Sequence, residues 1–92
     1  SAEEASEMGL VNKVVEKGKA MEAAEAYADS IAENGPLAVR KIKEAVIRGL
    51  SVPMEQAFYT EEAIAGEALD SEDAQEGPRA FRENRKPDFD GK

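Results

Sequence analysis

Among the side chains of this 92-residue protein that could carry chemistry, only carboxylates and cations are plentiful, because histidine and cysteine are both absent. A serine-histidine triad, an imidazole base, thiolate nucleophiles and the common zinc sites are therefore excluded from this chain acting alone. Acids occur in pairs at Glu3-Glu4, Glu61-Glu62 and Glu72-Asp73. General acid-base work needs two carboxylates that face one site with their proton affinities split by different surroundings. Neighbours on a helix diverge by about 100°, so these pairs do not converge and read as solvated helix faces. Glu61 falls on a stripe with Met54, Ala57, Phe58 and Ala65, where a buried or interfacial salt bridge is the expected role. No residue is assigned to catalysis and none to a metal.

The cations form two groups. Arg40, Lys41, Lys43 and Arg48 share one predicted helix and suit either a phosphate-bearing ligand or charge balance against neighbouring acids. Arg79, Arg82, Arg85 and Lys86 are interleaved with Phe81 and followed by Phe89. Rings beside fixed positive charge can sandwich an adenine and hold its phosphates, whereas the simpler expectation from the residues alone is that Phe81 packs in the core.

Helices must position these groups. Ser1-Ala2-Glu3-Glu4 has capping-box spacing and predicts a short helix ending near Gly9. Residues 10–15 are rich in β-branched side chains and predict a short strand or extended segment, an orphan without a second strand to pair with. Residues 19–34 carry Ala20, Ala24, Tyr27 and Ile31 at helical spacing, with Asn34-Gly35 as a stop. Pro36 suits the first turn of the next helix, which has Ile42, Ala45, Val46 and Leu50 as an apolar face and ends at Gly49. A third long helix follows Pro53 and reaches about Leu69. Ser71 can cap a last helix whose first turn holds Glu72 and Asp73. Pro78 either kinks that helix or delays its regular part to about Gly77, with Ala80 and Phe81 as buried positions. Residues 85–92 are predicted to be extended. The fold class is thus mainly all-α: three long helices, short terminal helices and one orphan strand.

Acidic residues number 20 against 12 basic, a formal net charge of -8, which disfavours nucleic acid as a partner because phosphate binding needs a basic stripe. The acidity serves solubility or a high-salt habitat. Aromatics are 5% of the chain and tryptophan is absent, so a thin, alanine-rich core is expected. No apolar run has membrane-spanning length and no leader is evident, which makes a soluble cytoplasmic protein without a membrane partner the expectation. The first residue, Ser1, suits a fragment.

Two segments carry a resemblance. The stretch from Ala2 to Val15, Ala-Glu-Glu-Ala-Ser-Glu-Met-Gly-Leu-Val-Asn-Lys-Val-Val, resembles the end of the core domain in crotonase-superfamily enzymes of the enoyl-CoA hydratase/isomerase type. Ser71-Glu72-Asp73-Ala74-Gln75-Glu76-Gly77-Pro78-Arg79-Ala80-Phe81 and its continuation to Phe89 resemble their C-terminal ending, with Asn34-Gly35-Pro36-Leu37-Ala38 and Lys43-Glu44-Ala45 similar in between. The resemblance implies that residues 1–15 are the tail of a missing core and residues 16–92 a helical region for oligomerisation and for covering CoA. It implies a parent lyase that hydrates or isomerises unsaturated acyl-CoA in fatty-acid metabolism, assembled as trimers or hexamers, with its oxyanion hole and acid-base glutamates outside these residues. CoA then belongs to the substrate, no separate cofactor is called for, and the isolated piece is inactive.

By the same resemblance, Phe81 stands where family members place an aromatic near the adenine. The family motif Phe-x-Glu-Lys-Arg reads Phe81-Arg82-Glu83-Asn84-Arg85 here, so Arg85 or Lys86 is left to supply the phosphate contact, and Ala65 replaces an aromatic found in some hydratases. The alternative reading is a free-standing helical module that self-associates and binds no CoA.

Overall fold

In a computed structural model, which describes residues 1–92, helices form where capping and periodicity require them. The order is α1 (Ala2–Glu7), α2 (Ala20–Ala32), α3 (Pro36–Gly49), α4 (Met54–Leu69) and α5 (Glu72–Arg82). The chain divides into two compact units, Ser1–Ser30 and Ile31–Lys92.

In the first unit, Ser1 and Glu4 complete the capping box of α1, with Ser1 Oγ accepting the Glu4 N–H at 3.1 Å. Gly9 ends the helix in the left-handed region at φ 72°, and the Leu10 N–H reaches back to the Ala5 carbonyl at 2.8 Å. No strand follows: residues 10–15 are irregular. A strand exists only as one side of a ladder, and this chain offers residues 10–15 no second side. The expected orphan strand is corrected accordingly. The helix expected over residues 19–34 is α2, two residues shorter at its C-terminus, and it buries none of its side chains.

The second unit is built on a hairpin of α3 and α4 joined through Leu50–Pro53. Pro36 occupies the first helical turn of α3, where its missing N–H has no partner to lose. The two helices come close where they are joined: a Cβ added at Gly49 would lie 3.7 Å from Ala57 Cβ. Between them Lys41 lies largely covered, paired with Glu44 at 3.2 Å and with Glu67 on α4. These two acids, Glu67 first, hold the Lys41 ammonium above the ordinary lysine value. Arg48 also reaches Glu44, at 2.8 Å.

Burial runs opposite to the apolar pattern. Ile42 and Val46 of α3, Leu50 at its C-cap, and Met54, Phe58 and Leu69 of α4 are exposed, Leu50 at 84%. Only Ile64, at 3% exposure, and Ala80, at 1%, are buried apolar residues, so the expected thin core is thinner than composition suggests. These exposed side chains have no apolar surface against them within the chain, and the hairpin holds only Ile64, small residues such as Gly49 and Ala57, and the Lys41 ion pairs. The exposed stripes border an open groove of about 720 Å³ along α3 and α4, and Glu61 lies on its edge. Glu61 is exposed and makes no ion pair within the chain, which corrects the buried pairing while leaving an interfacial one open.

Candidate ligand-contacting surface on the last helix and tail

Ser71 is the cap of α5: its Oγ accepts the Ala74 N–H at 3.1 Å and donates to the Ala68 carbonyl at 2.6 Å. Helix α5 runs from Glu72 to Arg82 with Pro78 inside it, so the late start is not realised. The proline deletes the bond its N–H would have made to the Ala74 carbonyl, a cost of about 3 kcal/mol in a helix interior. Strong anchoring at both ends of α5 opposes that loss. At the C-terminal end Asn84 takes φ 51°, its N–H bonds the Phe81 carbonyl at 3.2 Å, and the Arg85 N–H bonds the Ala80 carbonyl at 3.0 Å. This is a complete Schellman ending with asparagine in the position that glycine usually holds.

The residue that stands in place of the family motif's lysine therefore has a backbone task. Asn84→Val is expected to destabilise the chain by about 1–2 kcal/mol, the penalty of a left-handed residue with a branched Cβ, while Asn84→Gly should be neutral or slightly stabilising. Thermal unfolding of the two variants checks this; equal losses would refute the backbone role.

After Asn84 the chain turns back along α5. Asp73 and Glu76, three residues apart on one face with Ala80, are buried beneath it. The tail has no helix or strand, and at Gly91, where φ is 77°, it turns so that two adjacent amides face one carboxylate. The Asp88 N–H donates to Glu76 Oε1 at 3.0 Å, and the Asp90 and Gly91 N–H groups donate to Asp73 Oδ1 and Oδ2 at 2.8 and 2.9 Å. The Asp73 N–H closes the set on the Lys92 carbonyl at 3.1 Å. Asp73 is thus no solvated acid, as its pairing with Glu72 suggested, but a clamp. Spacing offered one signal: residues 73, 76, 77 and 80 form a helical face of two acids, glycine and alanine, small enough to admit a passing backbone.

Arg85 meets Glu76 through both terminal nitrogens, one of them at 3.0 Å, and its Nε meets Glu83. That fork-on-fork pair and the Asp88 N–H hold the Glu76 carboxyl down at about 2. Arg85, expected as a phosphate contact, has its donors turned onto protein acids. Lys86 is exposed and makes no ion pair. Phe81 is 84% exposed, which corrects its expected core packing: it lies one residue round the helix from Ala80, off the face the tail covers. Phe89 is half-buried and its ring covers Gly35, where an added Cβ would lie 3.7 Å from it.

On the tail's other side is an open cleft of about 730 Å³, lined by Ile31, Pro36, Val39, Arg40, Lys86 and Phe89. Arg40 spans to the tail by donating to the Gly91 carbonyl at 3.1 Å. Of the α3 cations, Lys41 and Arg48 balance acids and Arg40 anchors the tail, so the structure spends these three on the protein itself. No helix is long and apolar enough to cross a membrane.

Residues 1–92 match a family model described as enoyl-CoA hydratase/isomerase. The chain is 44% identical over 89 residues to an enoyl-CoA hydratase of Mycobacterium tuberculosis, covering 97% of this chain and 34% of that protein. It is 41% identical over 91 residues to the (E)-benzylidenesuccinyl-CoA hydratase of Thauera aromatica, covering 99% and 36%. Among solved structures, an enoyl-CoA hydratase/isomerase from Mycobacterium paratuberculosis superposes with a TM-score of 0.94 at 41% identity, over 100% of this chain and 36% of that one. The chain spans about a third of the length of the curated relatives it matches.

Proposed function

Because the chain belongs to the enoyl-CoA hydratase/isomerase family and corresponds to the C-terminal part of its crotonase fold, we propose that it supplies subunit assembly and one wall of an acyl-CoA site, not catalytic groups. In this reading the parent enzyme hydrates or isomerises an unsaturated acyl-CoA as a trimer or hexamer in the cytoplasm, with acid-base residues and oxyanion donors outside these residues. CoA is part of the substrate and no further cofactor takes part.

The observation that carries the reading is Phe81, an aromatic ring left 84% exposed on a helix capped at both ends. Such a ring is available to stack on adenine, and of Arg85 and Lys86 it is Lys86, exposed and without an acid of its own, that is left to meet a phosphate. Calorimetric titration with CoA tests this. Phe81→Ala should weaken binding about tenfold, since stacking a base on an aromatic ring contributes ~1–3 kcal/mol, and should leave the melting temperature unchanged because the ring buries nothing. Equal affinity of the two chains would overturn the role of Phe81.

The exposed apolar groove of α3 and α4 supports the assembly half of the proposal, and it also favours the second reading, self-association without CoA. Sedimentation across micromolar concentrations should show dimers or larger species. Wild-type chain that associates yet takes up no CoA would select the second reading.

A further inference from the structure

Glu76 grips the tail on both sides of Lys86. Its carboxylate holds the Arg85 guanidinium, one residue before Lys86, and accepts the Asp88 N–H, two residues after it. The backbone between the grips is stiff, because the residue before a proline is confined to extended conformations and Pro87 fixes its own φ. Asp73 secures the far end of the strap through Asp90 and Gly91. A carboxylate is costly to bury unless every lone pair finds a donor, yet Asp73 and Glu76 are among the most covered residues of a chain that buries only two apolar side chains.

We propose that Glu76 is a positioning residue for the ligand surface: by bracketing Lys86 and Pro87 it sets where the Lys86 ammonium stands relative to α5, and so makes that cation usable for a CoA phosphate. This rests on the acyl-CoA reading above. Glu76 acts through the tail: both its oxygens accept from Arg85, and Oε1 accepts the Asp88 N–H as well.

The test is a double-mutant cycle on the 92-residue chain, with CoA affinity measured by calorimetry and exchange of the Asp88, Asp90 and Gly91 amides measured by NMR. Lys86→Ala should weaken CoA binding about tenfold, the effect of losing one charged hydrogen-bond donor. Glu76→Ala should weaken it to a similar degree and expose the Asp88 amide to exchange. The double variant should bind no more weakly than Lys86→Ala, because once the ammonium is gone Glu76 has nothing left to position. Glu76→Gln keeps an acceptor for the Asp88 N–H and should restore part of both readouts, which also covers the case of a poorly folded alanine variant. Additive losses, or binding that depends on Lys86 and ignores Glu76, would overturn the proposal alone. Wild-type chain that takes up no CoA while its tail amides stay protected would overturn it through the reading beneath it.

Discussion

Ile64→Ala is expected to reduce the unfolding free energy by ~2–5 kcal/mol, the range for truncating a buried isoleucine or leucine to alanine. The argument is one of scarcity. Ile64 is the only large apolar side chain that the chain buries, at 3% exposure, and it lies on α4 among the residues of both helices that line the α3–α4 groove. Removing three carbons there leaves a void at the most covered large apolar position of the chain, and a packed interior closes only partly over such a void. Small domains hold only a few kcal/mol in reserve, so the variant should show helix loss at room temperature. Leu50→Ala is the control. At 84% exposure it should change monomer stability by no more than about 0.5 kcal/mol, while reducing self-association if Leu50 belongs to the assembly surface. Urea unfolding followed by circular dichroism separates the two variants; equal losses would show that Ile64 is not the keystone of the hairpin.

The second large effect is on acid stability. Glu76 is held down from its ordinary value to about 2, chiefly by Arg85 and next by the Asp88 N–H. A depressed carboxyl binds its proton more weakly in the folded chain than in the unfolded one. Its contribution is therefore complete above about pH 4.5 and drains away as pH falls toward 2. Glu44, held down first by Arg48 and then by Lys41, adds a loss of the same sign in the acid range. Glu76→Gln cannot ionise, so at neutral pH it should melt well below the wild type, and the gap should close as pH approaches 2. A gap of constant size across that range would mean that the charge of Glu76 contributes nothing and that only its shape matters.

How much of this was legible in the residues differs from element to element. Ser1, Pro36 and Ser71 announced three helix starts, because a cap or a first-turn proline acts within four residues and needs no distant partner. The run from Ser71 to Phe89 pointed to the family, and the match over residues 1–92 agrees. The expectation from the residues alone that Phe81 packs in the core was overturned by its 84% exposure: periodicity says which residues share a face, not whether anything lies against it. The same limit affected Ile42, Val46 and Leu50, an apolar stripe with no cover inside the chain.

Asp73 and Glu76 were hidden for a different reason. A carboxylate that accepts amides 12 to 18 residues away has the same local pattern as one facing water. Only the left-handed turn at Asn84 brings those amides within reach, and it also turns Arg85 from a candidate phosphate contact into the partner of Glu76.

By itself, then, the sequence determined the helices, their caps, the family and the lack of imidazole and thiol chemistry, all of which depend on residue type or on neighbours within a turn or two. The tertiary structure decided which side chains are covered, which cations remain available, and where the tail lies, because burial and long-range hydrogen bonds depend on chain reversals that bring distant residues together.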